Sequence, residues 1–154
     1  MNFGIAQELA IADGIPVELV IVADDVALVD QNVRRGLAGT ILVHKVAGAL
    51  AESGASLRDV KSQAENVIRS VGTMGVGLGP CMIPGADKPG FELKDDEIEL
   101  GLGIHGEPGV SKETLLPVNE LVDRILKQIV SNINVESSNV AVMVNGLVRI
   151  YTSL

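Results

Sequence analysis

One of the two histidines stands where a reactive side chain could work. His105 follows a run in which Gly101 and Gly103 alternate with apolar residues, and Gly106 and Glu107 come directly after it. An imidazole is mostly uncharged at neutral pH, so a ring nitrogen can act as a base or as a nucleophile. Histidines in strands more often serve packing, but a glycine-flanked strand end before a tight turn is a common place for reactive groups. The residues by themselves leave both roles of His105 open.

The other residues with possible chemistry have more frequent structural roles. His44 lies in an apolar helical stretch, where a core or interface role is commoner than ligation, and Cys81 between Pro80 and Met82 resembles a buried small hydrophobe. Asp24 and Asp25 end an apolar run; they could be ligands at a strand edge, but capping and turn roles are commoner. The acidic residues Asp95, Asp96, Glu97 and Glu99 are expected to be a solvated loop and strand edge rather than a cation site. We therefore predict no metal site.

The composition excludes several classes of protein. The 154 residues carry 12 Lys+Arg against 20 Asp+Glu, a net charge of -8, so the basic footprint of a nucleic-acid binder is missing. Hydrophobic residues make up 47% and aromatic residues 2%, which predicts an aliphatic core and no stacking platform. The N-terminus lacks the pattern of a signal peptide and no run reaches the length of a membrane span. The single cysteine fits a reducing compartment. We expect a cytoplasmic protein without nucleic-acid or membrane partners.

The elements that must position His105 follow from periodicity and from turn residues. Helical spacing and buried β-branched runs alternate along the chain, which predicts an α/β fold with helices packed on a mixed β-sheet. Gly36–Glu52 is apolar almost all round and should be a helix buried on most sides, packed through Gly36, Thr40 and Gly48. Ser56, followed three residues later by Asp59, should cap the next helix. The predicted helices cover 3–12, 36–52, 56–71 and 117–134, and the predicted strands cover 16–23, 72–83, 97–105 and 140–144.

Four ordered blocks of the sequence resemble the substrate-binding part of dihydroxyacetone kinases. The most specific block contains the His-Gly-Glu-Pro-Gly motif, and together the blocks extend the resemblance over roughly residues 2–146. The blocks are Asp24–Ala27, Arg34–Thr40 with Val43–Lys45, Gly79–Cys81 with Lys88–Phe91, and Glu97–Gly109. The resemblance implies a fold like the second domain of the kinase substrate subunit. Residues 1–30 would be the end of a first α/β domain, 31–147 the substrate-binding domain, and 148–154 an unassigned tail.

The resemblance also implies a transferase mechanism that belongs to glycerol metabolism. A ring nitrogen of His105 would add to the carbonyl of dihydroxyacetone and hold it as a hemiaminal, so that glycerol is not captured. Gly103 and Gly106 would give access, and Glu107 would orient the turn or the ring. No cofactor would be bound by this chain: ATP or ADP with Mg²⁺ would be held by a helical nucleotide-binding partner subunit or domain that phosphorylates the captured ketose.

The chain departs from the family pattern before Asn2 and again after Leu147. In the family a Gly-Asp pair that supplies the proposed base precedes the Asn-Phe, whereas here Met1 alone precedes Asn2 and Phe3. We therefore expect an internal or truncated piece of a longer subunit with little kinase activity alone. A non-catalytic, dihydroxyacetone-binding regulatory paralogue is the alternative, and a remnant that binds nothing is a third. Apolar surface around Val17 to Val22 would favour a homo-oligomer.

Overall fold

A computed structural model describes residues 2–80, 85, 87–89, 91–135 and 139–146. Its helices are α1 (Asn2–Ala12), α2 (Thr40–Glu52), α3 (Leu57–Ser70) and α4 (Val118–Val130), with a short 3₁₀ turn at Gln31–Val33. Its strands are β1 (Val76–Gly77), β2 (Glu97–Leu100) and β3 (Ser111–Thr114). The predicted roles of Cys81 and of the tail 148–154 lie outside the described residues. In the part that the structure describes, no helix is both long and apolar enough to cross a membrane.

The three strands form one sheet in the order β1-β2-β3, and both neighbouring pairs are antiparallel. Val76 lies opposite Leu100, and Glu99 lies opposite Lys112 on the other side. A parallel bridge joins Asp25 to Thr73 beside this sheet. The predicted α/β class, with helices beside a β-sheet, is confirmed; the parallel pairing of Asp25 with Thr73 lies outside the named strands.

The core lies between β2 and α4. Ile98 and Leu100 point from one face of β2 and pack with Leu121 of α4, and all three are buried. Met74, Val76, Leu116 and Ile125 surround this centre as partly buried neighbours. Because the alternate residues of a strand face opposite sides, Glu97 and Glu99 are directed to the other face of β2. The core thereby anchors the strand that leads into the His105 segment.

The start of α3 agrees with its sequence signal, whereas the start and the burial of α2 differ from the prediction. The Ser56 hydroxyl accepts a hydrogen bond from the Asp59 N–H at 3.2 Å, so the predicted cap of α3 is confirmed. The α2 helix begins at Thr40 rather than Gly36, and before it the Asp24 carboxylate accepts hydrogen bonds from the N–H groups of Leu37 and Gly39 at 2.6 and 2.8 Å. The prediction that α2 is buried on most sides is wrong, since Val43 is its one buried residue.

All four predicted strands are too long or wrong. Among the described residues, 16–23 and 140–144 form no ladder, and most of their apolar side chains are exposed or half-buried. Of the described residues in the predicted strand 72–83, Val76–Gly77 belong to the sheet. The predicted strand 97–105 ends at Leu100, because Gly101 has a φ of +73° and turns the chain out of the sheet. A run with high strand propensity forms a strand only when it pairs with another segment, and the run itself does not specify which segment that is.

Candidate functional site

His105 lies in a loop that joins β2 to β3, and this segment, residues 101–110, is named the His105 loop. The base of the loop is closed by two backbone hydrogen bonds, from Gly101 N to Gly75 O at 2.7 Å and from Val110 N to Leu100 O at 2.8 Å. Within the loop Gly103 N donates to Glu107 O at 3.0 Å. The predicted site therefore occupies a hydrogen-bonded loop next to the sheet, not the end of a strand.

The ring of His105 is presented to solvent and held from one side by Glu107. Its side chain is 79% exposed, and Nδ1 lies 3.2 Å from Glu107 Oε1. The second carboxylate oxygen accepts a hydrogen bond from the His105 backbone N–H at 2.9 Å. One glutamate thus fixes both the backbone and the ring of the same histidine.

The protonation of Glu107 determines which ring nitrogen is free. Hydrogen bonds from its own backbone N–H and from that of His105 lower the pKa of Glu107 below its ordinary value, so it is a carboxylate at neutral pH. A carboxylate can only accept hydrogen bonds, so a neutral His105 ring must carry its proton on Nδ1. The Nε2 lone pair then faces solvent and is available as a nucleophile.

The two glycines named in the site act in different ways. A Cβ on Gly103 would lie 2.8 Å from Glu107 Cβ and 2.9 Å from Arg35 Nη1, so only a residue without a side chain lets both neighbours approach. Gly106 has a φ of +87° and open space around its Cα, so it supplies the turn rather than close contact. The structure brings His105, Glu107, Gly103 and Gly106 together in one loop.

Two side chains that contact this loop were not predicted to be part of the site. Arg35, half-buried, donates from Nε to Asp25 Oδ2 at 2.6 Å and from Nη2 to Gly101 O at 2.6 Å. Glu99 accepts from Gly109 N at 2.7 Å and is only 4% exposed, so the expectation that it is solvated is wrong. The pattern that could have revealed Glu99 is the alternation of β2, which places it on the face that the His105 loop covers.

The other candidates are placed elsewhere or have structural contacts. Asp24 and Asp25 are fully buried and accept backbone N–H groups, which agrees with the capping and turn role preferred for them. His44 is exposed on α2. Glu97 binds Lys94 through the Lys94 N–H, and this contact lowers the pKa of Glu97. Over the described ranges no three His, Cys, Asp or Glu side chains are grouped as metal ligands.

Comparison with known proteins gives a consistent match. The family model of the Dak1 domain matches residues 1–153. The PTS-dependent dihydroxyacetone kinase 1, dihydroxyacetone-binding subunit DhaK, of Listeria innocua serovar 6a is 50% identical over 151 residues, covering 96% of this chain and 46% of that protein. The chain thus spans about half the length of this relative.

Solved structures match the fold as well as the sequence. The dihydroxyacetone kinase of C. freundii, in its native crystal form, is 38% identical with a TM-score of 0.80 and covers 86% of this chain and 24% of that one. The same kinase in complex with AMP-PNP and Mg2+ gives the same identity and TM-score, with 86% and 25% covered. A structure described as the dihydroxyacetone kinase operon co-activator Dha-DhaQ is 33% identical with a TM-score of 0.77, covering 85% and 41%.

Proposed function

This chain belongs to the Dak1 domain family, and we propose that it is the ketose-binding part of a dihydroxyacetone kinase. His105 captures dihydroxyacetone covalently, and Glu107, Gly103 and Gly106 shape the loop that presents it. The observation that carries the proposal is the exposed ring whose Nδ1 lies 3.2 Å from a carboxylate, which leaves Nε2 free. The relatives described above, among them a dihydroxyacetone-binding subunit and a dihydroxyacetone kinase, support the choice of ketose.

The capture step forms an N–C bond and an O–H bond, and it breaks the carbonyl π bond and the Nδ1–H bond. The Nε2 lone pair forms the new N–C bond, the π pair of the carbonyl moves to its oxygen, and this oxygen takes up a proton. The ring returns to neutrality when Nδ1 gives up its proton through the hydrogen bond to Glu107 and solvent. The product is a neutral hemiaminal. A polyol without a carbonyl offers no atom for this addition, so selection rests on the chemistry of the bond.

The phosphoryl donor belongs to a partner. We assign ATP or ADP with Mg²⁺ to a helical nucleotide-binding subunit or domain that docks over the captured ketose and transfers the phosphoryl group to a terminal hydroxyl. Among the described residues, no group of three or more His, Cys, Asp or Glu side chains is placed to hold the Mg²⁺ ion of such a nucleotide. The nucleotide complex of the C. freundii kinase supports a nucleotide site in the whole enzyme.

Two further parts of the proposal remain predictions: the assignment of residues 1–30 and 31–147 to two domains, and the cytoplasmic location.

The test uses dihydroxyacetone labelled with ¹³C at the carbonyl. On addition of the wild-type chain, its resonance should move from the ketone region to that of a tetrahedral carbon. His105→Ala should abolish this signal, whereas His44→Ala, which removes the exposed histidine of α2, should retain it. No tetrahedral signal with the wild type, or the same signal with His105→Ala, would refute capture by this ring. Glycerol in place of the ketose should give no adduct.

A regulatory function is the second candidate. The likeness to the operon co-activator supports a chain that binds dihydroxyacetone without phosphorylating it. Both candidates predict the adduct, so the discriminating measurement is glycerone phosphate formation after addition of the nucleotide-bearing partner and nucleotide. Product excludes a purely regulatory protein, whereas an adduct without product fits both that protein and a kinase part with little activity of its own.

A homo-oligomer is a further part of this proposal. Apolar side chains of α1 and of the segment after it are strongly exposed, among them Phe3 at 80% and Ile21 at 74%. Burying such a surface in a second copy would remove it from water. Light scattering over a concentration series should give a mass above that of one chain, and a monomer at high concentration would contradict it.

A further inference from the structure

Arg35 spans the base of the His105 loop. Its Nη2 donates to Gly101 O at 2.6 Å, where the loop begins, and its Nη1 lies 3.3 Å from Pro108 O, where the loop ends. The two carbonyls belong to the two arms of the loop. A single rigid guanidinium therefore sets how far apart these arms lie.

The guanidinium is anchored in the protein interior. Nε and Nη2 both lie 2.6 Å from Asp25 Oδ2, and the Asp25 side chain is fully buried while that of Arg35 is 19% exposed. The other Asp25 oxygen accepts the Ala27 N–H at 3.1 Å. The Asp25 backbone N–H in turn donates to Arg35 O at 3.1 Å. Side chain and backbone thus connect the same two residues, so Arg35 has little freedom to move away from the loop.

The loop leaves room for this contact. Gly103 approaches Arg35 so closely that a Cβ there would lie 2.9 Å from Nη1. A second contact holds the C-terminal arm of the loop, since Glu99 accepts a hydrogen bond from the Gly109 N–H at 2.7 Å. His105 itself makes its described side-chain contact with Glu107 alone, within the loop. The placement of the ring relative to the sheet therefore depends on how the two arms are held.

We propose that Arg35 is a positioning residue for His105: bound to Asp25, it holds the two arms of the loop so that the ring is presented for capture. This inference rests on the proposed function for the reaction, but its structural half can be tested without ligand. Arg35 acts through the loop and is not itself assigned to contact the ketose.

The test compares Arg35→Lys with Arg34→Lys. A lysine keeps the charge but cannot reach Asp25 and both loop carbonyls at once. Arg34 is the matched control, because it is the adjacent arginine and binds Leu28 O and Asn132 Oδ1 instead of the loop. For each folded variant, amide hydrogen exchange of Gly103 and Gly109 is measured without ligand, and the Kd for labelled dihydroxyacetone is measured by the adduct signal.

Arg35→Lys should speed exchange of the two loop amides at least roughly tenfold and raise the Kd by a similar factor, while the amides of α4 keep the wild-type rate. Arg34→Lys should change neither loop exchange nor Kd by more than about twofold. If Arg35→Lys fails to fold, Asp25→Asn carries the test, because it weakens the anchor and leaves the carbonyl contacts.

The outcomes separate the two proposals. Unchanged loop exchange in Arg35→Lys overturns the positioning role, and so does an equal effect of Arg34→Lys. Faster loop exchange with an unchanged Kd also overturns it, because the role would then be structural only. If the wild type forms no adduct, the proposed function fails and so does the role of Arg35 in capture, whereas the exchange result still decides whether Arg35 holds the loop.

Discussion

Replacing Glu107 by glutamine tests how the ring of His105 is prepared. Glu107→Gln keeps the size of the side chain but removes its charge. The carboxylate accepts from the His105 N–H at 2.9 Å and from Nδ1 at 3.2 Å, whereas an amide has one oxygen for these two donors. If the amide NH₂ donates to Nδ1, then Nδ1 must be the acceptor and the ring proton lies on Nε2. Nε2 then has no free lone pair with which to attack the carbonyl.

The size of the effect follows from the exposure of the pair. Hydrogen bonds to charged groups contribute about 1.5–3 kcal/mol where water is excluded. The side chains of His105 and Glu107 are 79% and 41% exposed, so solvent screening reduces this contribution. We expect a loss of about 1 kcal/mol, which corresponds to a roughly fivefold higher Kd for dihydroxyacetone.

The assay is the ¹³C adduct titration, together with ¹⁵N spectra of the His105 ring. The spectra should show the proton on Nδ1 in the wild type and a mixture of tautomers in Glu107→Gln. Glu97→Gln is the control: Glu97 also has a lowered pKa, but its partner is Lys94 and not the ring. A Kd of Glu107→Gln equal to that of the wild type, or an equal rise in Glu97→Gln, would refute this account of the ring.

Three further predictions concern the loop, an ion pair and the core. Gly103→Ala should raise the Kd about tenfold or more, because the added Cβ would lie within 2.9 Å of neighbouring side chains. Gly106→Ala costs only the ~1 kcal/mol of a positive φ, so it should weaken capture less in the same titration. Arg124→Gln should lower the free energy of unfolding by about 0.5 kcal/mol at neutral pH. Hydrogen bonds from Arg124 lower the pKa of Glu113, so the ion pair contributes its full stability above the ordinary carboxyl range and loses it as the pH falls through the lowered pKa. The difference in Tm between Arg124→Gln and the wild type should therefore vanish at low pH. A difference in Tm that stays constant with pH would contradict this prediction. Ile98→Ala, at a fully buried position, should lower the unfolding free energy by about 2–5 kcal/mol in denaturant titrations, and a loss below about 1 kcal/mol would place Ile98 outside the core.

The sequence alone determined the features that depend on neighbouring residues. Ser56 with Asp59 predicts the start of α3 because a cap is made within one helical turn, and helical spacing predicts a helix over 117–134, where the structure has α4. His105, Gly106 and Glu107 are close in the chain, so their motif places them in one turn whatever surrounds it. The resemblance built on that motif and on the other blocks is confirmed by the match to the Dak1 domain.

Only the tertiary structure decided which distant groups meet the loop. Arg35 and Gly101 are 66 positions apart, and no local pattern relates them. The burial of Glu99 likewise depends on the loop folding back over its strand, and the segment 16–23 shows that β-branched residues alone do not make a ladder. The physical reason is that propensities and caps are energies of neighbouring residues, whereas pairing, burial and salt bridges depend on chain segments that meet only after folding.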